Sequence, residues 1–232
     1  MEFDTVAKVT SALLRLVGTE EDDEALVIND EESGEVVQLL LTRGCRIAQR
    51  WMLECGYGGW RQRSSALSFT GADATDGGRH VDLPVDYMKG HGSQSRGRSA
   101  LVQANGDRWG REIEEDQDHL TGDLYYVRGE ELWLARQAHP PTTLYLDYHY
   151  KHPAWDDSLE DADIDFPLEA RGLIAAEGAY LGMVENWLPG ANDYMARIDL
   201  ARKNERENAR RVARRTKQPQ TILRPRRTMS RY

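Results

Sequence analysis

The sequence predicts an α+β fold: mainly a helical bundle of about four helices, with an inserted antiparallel β domain and an extended C-terminal arm. Three observations lead to this prediction. Apolar residues recur with the period of a helix near both ends of the chain, they alternate with the period of a strand in the middle, and the last residues are basic and contain prolines. The predicted segments are the N-terminal helices (1–58), the inserted β domain (59–153), the C-terminal helices (154–215) and a basic docking tail (216–232).

Two helices are expected in the first segment. Apolar residues at helical spacing over residues 5–17 predict the first helix, with Asp4 available as its cap and Gly18 as its stop. Those of residues 37–55 trace one face of a second, longer helix that ends at Gly56. We expect these two helices to pack against each other.

Cysteine usage and hydropathy indicate a cytoplasmic setting without a membrane span. Ten residues of helix separate Cys45 from Cys55, which places them about 15 Å apart, whereas a disulfide requires Cα atoms within roughly 7 Å. We therefore expect free thiols, as in a reducing compartment. The chain has no long apolar run, and its first residues lack the basic start of a secretory signal.

Strand patterns occupy the inserted domain. Residues 66–70 and 80–83 flank a connection rich in glycine and aspartate and predict one hairpin, and residues 124–127 and 132–135 predict a second. The clearest strand is residues 142–150, in which Leu and Tyr at every second position form one apolar face. This face should pack on a core.

Helical periodicity returns in the C-terminal part of the chain. Asp165 is a candidate cap for residues 168–187, a segment rich in glycine and alanine that should let the N-terminal helices approach closely. Asn192 is a candidate cap for a last helix, whose apolar face ends at about residue 201. Residues 202–215 are compatible with helix but almost entirely polar, so we expect their packing partner to be another chain.

The net charge of −9 conceals two oppositely charged parts. Residues 202–232 contain 12 basic and 2 acidic residues, which gives +10. Residues 1–201 contain 18 basic and 37 acidic residues, which gives −19. A body of this charge repels nucleic acid and other copies of itself, whereas the C-terminal part favours an acidic partner.

Motifs that usually carry catalysis or cofactor binding are not found. His149 and His152 are close in sequence, but their spacing sends them to opposite faces of a strand. The acidic run at 161–165 begins like a calcium loop, yet Phe166 occupies the position that needs glycine. The glycine-rich turns lack the Lys-Ser/Thr of a phosphate loop, and the sequence around Ser99 is not a nucleophile elbow. We therefore expect no catalytic residue, no metal and no cofactor.

Four segments, in this order, resemble the signatures of the head-tail adaptor (connector) proteins of tailed bacteriophages. They are HVDLPVDY (80–87), a strand followed by Leu-Pro, an acid and an aromatic residue; the hairpin YYVRGEELWL (125–134); the strand TLYLDYHYKHP (143–153); and the helix start DFPLEA (165–170). The resemblance extends over about residues 1–215. It departs from the family pattern after the hairpin, where the prolines are delayed to Pro140 and Pro141.

The resemblance implies a structural virion protein rather than an enzyme. Such a protein assembles in the host cytoplasm and forms a dodecameric ring under the portal, in the neck between capsid and tail. Its partners would be the portal protein, further copies of itself, the next tail or neck protein, and viral DNA that passes through the lumen without specific binding. It would need no cofactor and no membrane.

The C-terminal residues supply the candidate docking site for the portal. A basic, proline-containing arm with little core of its own would become ordered on a partner, where guanidinium groups reach acidic surface. Ile222 and Leu223 would be its apolar anchor. The basic residues of the predicted site are Arg210, Arg211, Arg214, Arg215, Arg224, Arg226 and Arg227.

Three other functions remain open at this stage. A nucleic-acid-binding protein would use the same arginines against phosphate, with a steep dependence of affinity on salt. An enzyme is a second alternative, because some adaptors of short-tailed phages are associated with peptidoglycan hydrolysis, although no motif here matches one. A cellular scaffolding protein of similar architecture is the third.

Overall fold

A computed structural model describes residues 3–18, 31–69, 79–90, 99–114, 122–135, 138–185 and 194–216. The fold of these residues is mixed α+β, with four α-helices and two β-sheets. The chain divides into two units. One, the helical unit, comprises Met1–Gly58 and Pro153–Tyr232, and the other, the β unit, comprises Gly59–His152.

The four α-helices all belong to the helical unit. They are α1 (Val6–Leu16), α2 (Glu31–Glu54), α3 (Gly172–Val184) and α4 (Met195–Thr216). Two single-turn 3-10 helices, Asp161–Asp163 and Leu168–Ala170, precede α3. Helix α3 is buried around almost its whole circumference because it contacts each of the other three helices.

Helix α1 begins one residue later than the sequence suggested. The hydroxyl of Thr5, not the carboxylate of Asp4, accepts the hydrogen bond from the backbone N–H of Lys8, at 3.2 Å. Asp4 instead binds the Lys8 ammonium at 2.5 Å, and this hydrogen bond lowers the pKa of the Asp4 carboxyl. The backbone N–H of Val6 donates to Asp161 at 2.7 Å. The carboxylate of Asp161 therefore contributes to capping α1.

Small residues bring α2 and α3 into backbone contact, as the glycine and alanine content of α3 predicted. A Cβ atom added to Gly44 on α2 would lie 2.6 Å from the backbone of Gly178 and Ile174. One added to Gly178 on α3 would lie 2.8 Å from the side chain of Leu13 on α1. Three helices therefore meet where glycine leaves room for neighbouring atoms.

The start of the C-terminal helices differs from the prediction. Asp165 does not cap a helix; Leu168–Ala170 forms a 3-10 turn, and α3 begins only at Gly172. Gly172 lies against the carboxylate of Glu205 from α4, which a Cβ atom would approach to 2.7 Å. The other candidate cap, Asn192, lies outside the described residues.

The β unit contains two four-stranded sheets. The first has the order β1-β8-β3, with β4 also paired to β8, and the second has the order β2-β7-β6-β5. The strands are β1 (Arg61–Arg63), β2 (Arg79–Asp82), β3 (Tyr87–Gly90), β4 (Leu101–Gln103), β5 (Arg111–Glu112), β6 (Leu124–Arg128), β7 (Glu131–Leu134) and β8 (Leu144–Tyr150). All pairs are antiparallel except β5 with β6, which is parallel and departs from the predicted antiparallel domain.

One predicted hairpin is confirmed and the other is wrong. Strands β6 and β7 pair through a two-residue turn in which Gly129 has a φ of 60°, a conformation that favours glycine. Strand β2 pairs with β7 instead of with the segment that precedes it. That earlier segment reaches β8, where Leu67 forms a bridge with Leu144.

Strand β8 organises the core of the β unit. Its predicted alternation is confirmed, because Leu144, Leu146 and Tyr148 are buried while Tyr145 and Asp147 on the opposite face are partly exposed. The buried face joins a cluster drawn from both sheets. Other buried members of this cluster are Ala100, Leu101, Trp109, Tyr125, Leu132 and Leu134.

Candidate docking surface

A buried ion pair fixes the C-terminal helix α4 to the centre of the helical unit. Glu177 on α3 is 0% exposed, and its carboxylate accepts hydrogen bonds from the Nε groups of Arg202, at 3.0 Å, and Arg206, at 2.5 Å. The two arginines are four residues apart and therefore lie on the same face of α4. An unpaired carboxylate at this depth would carry a large desolvation cost, and two charge-assisted hydrogen bonds offset it.

Arginines on this face of α4 also lie against aromatic rings. The guanidinium of Arg202 lies 3.6 Å from the centre of the Tyr180 ring on α3. Those of Arg206 and Arg210 lie 4.8 Å and 5.4 Å from the Trp51 ring on α2. Such contacts add attraction between each cation and the face of its ring. One side of α4 is thereby joined to both α2 and α3.

Apolar residues complete this packing and correct an expectation from the sequence. Residues 202–215 were expected to pack on another chain, but Ala209, Val212 and Ala213 are buried within the helical unit. Asn208 also donates to the backbone carbonyl of Glu169 at 2.6 Å. The last helix therefore continues to Thr216 instead of losing its packing at about residue 201.

The structure describes four of the predicted docking residues, all near the C-terminal end of α4. Arg210 is half-buried against Trp51, whereas Arg211, Arg214 and Arg215 are exposed. Arg210 and Arg211 both bind Glu207, at 3.1 Å and 3.7 Å. Arg214 and Arg215 occupy the last turn, are exposed, and make no ion pair among the residues that the structure describes. Cations at this position complement the helix dipole. The other predicted docking residues lie outside the described residues: Ile222, Leu223, Arg224, Arg226 and Arg227.

An open hollow of about 460 Å³ lies beside the predicted docking residue Arg210. Trp51 forms part of its wall, Lys203 adds a further cation, and Asp199 and Glu207 add carboxylates. Because both charge signs are present, the hollow suits a polar contact better than an apolar ligand.

The key residue that sequence reasoning missed is Glu177. It is the single charged residue of α3. Two signals could have located the site: a single carboxylate in an otherwise apolar helix, and arginines at positions 202, 206 and 210, spaced to share one helix face.

The β unit contains a second buried polar group, centred on Tyr125. Its hydroxyl accepts a hydrogen bond from the backbone N–H of Ala100, at 2.8 Å, and another from the Ser99 hydroxyl, at 3.3 Å. Ser99 in turn accepts from the N–H of Leu101. Burial raises the pKa of Tyr125 to about 12, so the phenol stays protonated at neutral pH. These bonds join β4 to β6.

Thiol, carboxylate and imidazole groups are the side chains from which metal sites are usually built. Cys45 and Cys55 are free, as predicted, and burial raises the pKa of the Cys45 thiol. Within the described ranges, no group of three or more His, Cys, Asp or Glu side chains is arranged to hold a metal ion. In the same ranges, no helix has the length and apolar character needed to cross a membrane.

Comparisons with known proteins add no assignment: the chain matches no protein-family model and no curated protein.

Proposed function

We propose that this protein is a head-tail adaptor of a tailed bacteriophage. It is a structural virion protein that forms a ring under the portal, docks on the portal through its C-terminal residues and extends the DNA channel towards the next tail component. In this proposal, the helical unit is a bundle and the β unit is a domain inserted between its halves. The protein resides in the neck of the virion.

The attachment of α4 is the observation that carries the proposal. The buried pair of Glu177 with Arg202 and Arg206 holds this helix in one register against α3. The same helix ends in the exposed cations Arg214 and Arg215. A firmly held helix that ends in positive charge is a suitable base for a docking segment, because less conformational entropy is lost when the segment binds.

The residues after Thr216 have the composition of a docking segment. Residues 217–232 contain five basic residues and no acidic one. Their prolines disfavour a continued helix, and Ile222 and Leu223 supply an apolar pair. Extended segments of this kind bind partners through main-chain hydrogen bonds and a few inserted side chains.

The negative charge of residues 1–201 suits a passage for DNA. Residues 1–201 carry −19, and an acidic lumen repels phosphate, so DNA passes without adhering. A protein that held DNA would need positive charge along the channel.

Portal binding by a shortened chain tests the proposal. The portal protein encoded in the same genome is immobilised, and its affinity for the full chain is compared with that for a chain ending at Thr216. We expect the shortened chain to fold with an unchanged circular dichroism spectrum and to lose portal binding. A full-length Arg46→Glu/Arg50→Glu variant is the control. Both arginines are exposed on α2, outside the proposed docking residues, so this variant should bind the portal like the native chain. Equal binding by the full and shortened chains would contradict the proposal.

A nucleic-acid-binding function is the second candidate, favoured by Arg214 and Arg215, which are exposed at the end of α4 and make no ion pair within the residues that the structure describes. It predicts binding to duplex DNA that weakens steeply as salt increases, and that is lost with Arg211→Ala/Arg214→Ala/Arg215→Ala. Under the adaptor proposal, the full chain binds the portal more tightly than DNA at physiological salt. The reverse order would favour this second function.

A further inference from the structure

One face of the first sheet in the β unit is basic, although the chain as a whole is acidic. Register places Arg61 of β1 and Lys89 of β3 on either side of His149 in β8. Arg63 of β1 is opposite Asp147 in β8. Residues paired directly across antiparallel strands project on the same side, so these side chains form one surface, the basic face.

The cations of the basic face outnumber its carboxylates. Asp147 is its single acidic residue and binds both Arg63, at 2.7 Å, and Arg108, at 3.1 Å. Arg61 and Lys89 make no ion pair within the described part of the chain. Four cations against one carboxylate leave a surplus of three positive charges.

Two further features of the basic face are the ring of His149 and a hollow beside Asp147. His149 is nearly buried, and its desolvation, aided by Arg61 and Lys89, lowers its pKa, so the ring is neutral at pH 7. Its Nδ1 lies 3.1 Å from the carbonyl oxygen of Gly59. An open hollow of about 320 Å³ lies beside Asp147, with arginines around it. The basic face therefore includes an open hollow between its arginines.

An exposed run of carboxylates in the helical unit has the complementary charge. It comprises residues 156–165, which contain six acidic and no basic residues. Asp156, Asp157 and Glu160 are exposed and make no ion pair within the described residues. Hydrogen bonds to Ser158 and to Gln38 hold Asp156 and Asp157 in place.

We infer that copies of this chain associate by placing the basic face of one copy on the acidic run, residues 156–165, of the next. The two surfaces differ, so the contact is heterologous, and repetition of a heterologous contact generates a ring where the rotation closes. The inference rests on the proposed function and deepens it by naming the surfaces through which neighbouring subunits meet.

A second copy explains the pair of surfaces better than a nucleic acid does. Copies with a body charge of −19 repel each other, so stable association requires a positive region that meets a negative one. A nucleic acid would account for the basic face but would leave the acidic run, which repels phosphate, without a role. Nucleic-acid binding is therefore an outcome that the experiment must separate.

Charge exchange between two variants tests the inference. The variant Arg61→Glu/Lys89→Glu reverses the basic face at the two cations for which the described part of the chain provides no ion pair. The variant Asp157→Lys/Glu160→Lys reverses the acidic run. Self-association of each full-length variant is measured by sedimentation, alone and mixed with the other. We expect each variant alone to associate at least about tenfold more weakly than the native chain, because like charges then face each other.

The mixture is the decisive sample. Each reversed surface then meets a reversed partner, and each native surface meets a native one, so we expect association to return to the native level. Arg46→Glu/Arg50→Glu changes the net charge as much as the first variant does and should associate like the native chain. Failure of the mixture to restore association would overturn the inference. Loss of duplex DNA binding in the first variant, with unchanged self-association, would assign the basic face to nucleic acid.

The two proposals fail in distinguishable ways. If the portal binds the full chain but charge exchange does not restore association, the named surfaces are wrong and the adaptor proposal stands. If charge exchange restores association but the portal does not bind, the contact between copies stands and the adaptor proposal fails.

Discussion

Glu177 and Asp147 each bind two arginines, and the surroundings of the two carboxylates differ. Glu177 in the helical unit is 0% exposed, whereas the side chain of Asp147 in the β unit is 15% exposed at the edge of an open hollow. Around Glu177, the guanidiniums point inwards and also meet aromatic rings. Around Asp147, the arginines remain part of a charged surface. The same ion-pair chemistry therefore holds a helix in one place and forms a surface for contact in the other.

The largest expected effect follows from leaving Glu177 without partners. In the variant Arg202→Gln/Arg206→Gln, the carboxylate stays buried while both positive charges are removed. We expect the free energy of unfolding to fall by about 3–5 kcal/mol, the usual cost of a buried charge that has lost its partner. Chemical denaturation of the full chain measures this change.

Two controls separate the buried charge from general damage to α4. Arg211→Gln/Arg214→Gln removes two exposed arginines of the same helix and should change the free energy of unfolding by less than about 0.5 kcal/mol. Replacing Glu177 by Leu together with Arg202→Met and Arg206→Met removes all three charges, and should restore most of the stability. A triple variant as unstable as the double one would refute the electrostatic explanation.

A smaller effect is expected at Asp147. Asp147→Asn removes the shared partner of Arg63 and Arg108, but water reaches these side chains and replaces much of the lost interaction. The free energy of unfolding should fall by at most about 1 kcal/mol. The basic face gains one positive charge, so self-association should strengthen. A loss of stability as large as that from Arg202→Gln/Arg206→Gln would remove the contrast between the two carboxylates.

The smallest expected effect is a pH dependence confined to the β unit, which contains all six histidines of the chain. Desolvation lowers the pKa of His149 below its ordinary value of 6.5. As the pH falls below that value, the unfolded chain binds a proton that the folded chain does not, so stability decreases. Residue-resolved hydrogen exchange at pH 7 and at about 5.5 should show this loss around β8, and His149→Gln should reduce it. An unchanged pH response in that variant would exclude His149 as the cause.

Local patterns predicted the elements that depend on local interactions. Helical periodicity located α1 and most of α2, and alternation located β8. The hairpin of β6 and β7 was predictable because its two strands are adjacent in sequence and joined by a turn at Gly129. In contrast, β2 pairs with a strand about fifty residues further along the chain. Periodicity identifies a strand and its faces but does not identify its partner.

The packing of α4 was missed for a different reason. Charged residues are almost never fully buried unless they are paired, so a helix rich in arginine predicts a solvated surface. The buried carboxylate of Glu177 is the partner that lets Arg202 and Arg206 pack inwards. In the sequence, however, it is 25 and 29 residues from these two arginines. The predicted docking residues Arg210, Arg211, Arg214 and Arg215 are therefore on a helix of the fold, and only the residues beyond Thr216 remain candidates for a segment without its own core.

Amide hydrogen exchange along residues 195–232, measured in the free protein and in the presence of the portal, tests whether α4 is anchored before the portal binds. We expect the amides of α4 that follow the Glu177 pair, from Arg206 to Val212, to be as protected in the free protein as those of α3. Portal binding should then add protection to residues 217–232 and leave α4 unchanged. Rapid exchange of α4 in the free protein, with protection gained only on the portal, would contradict an α4 that Glu177 anchors before docking.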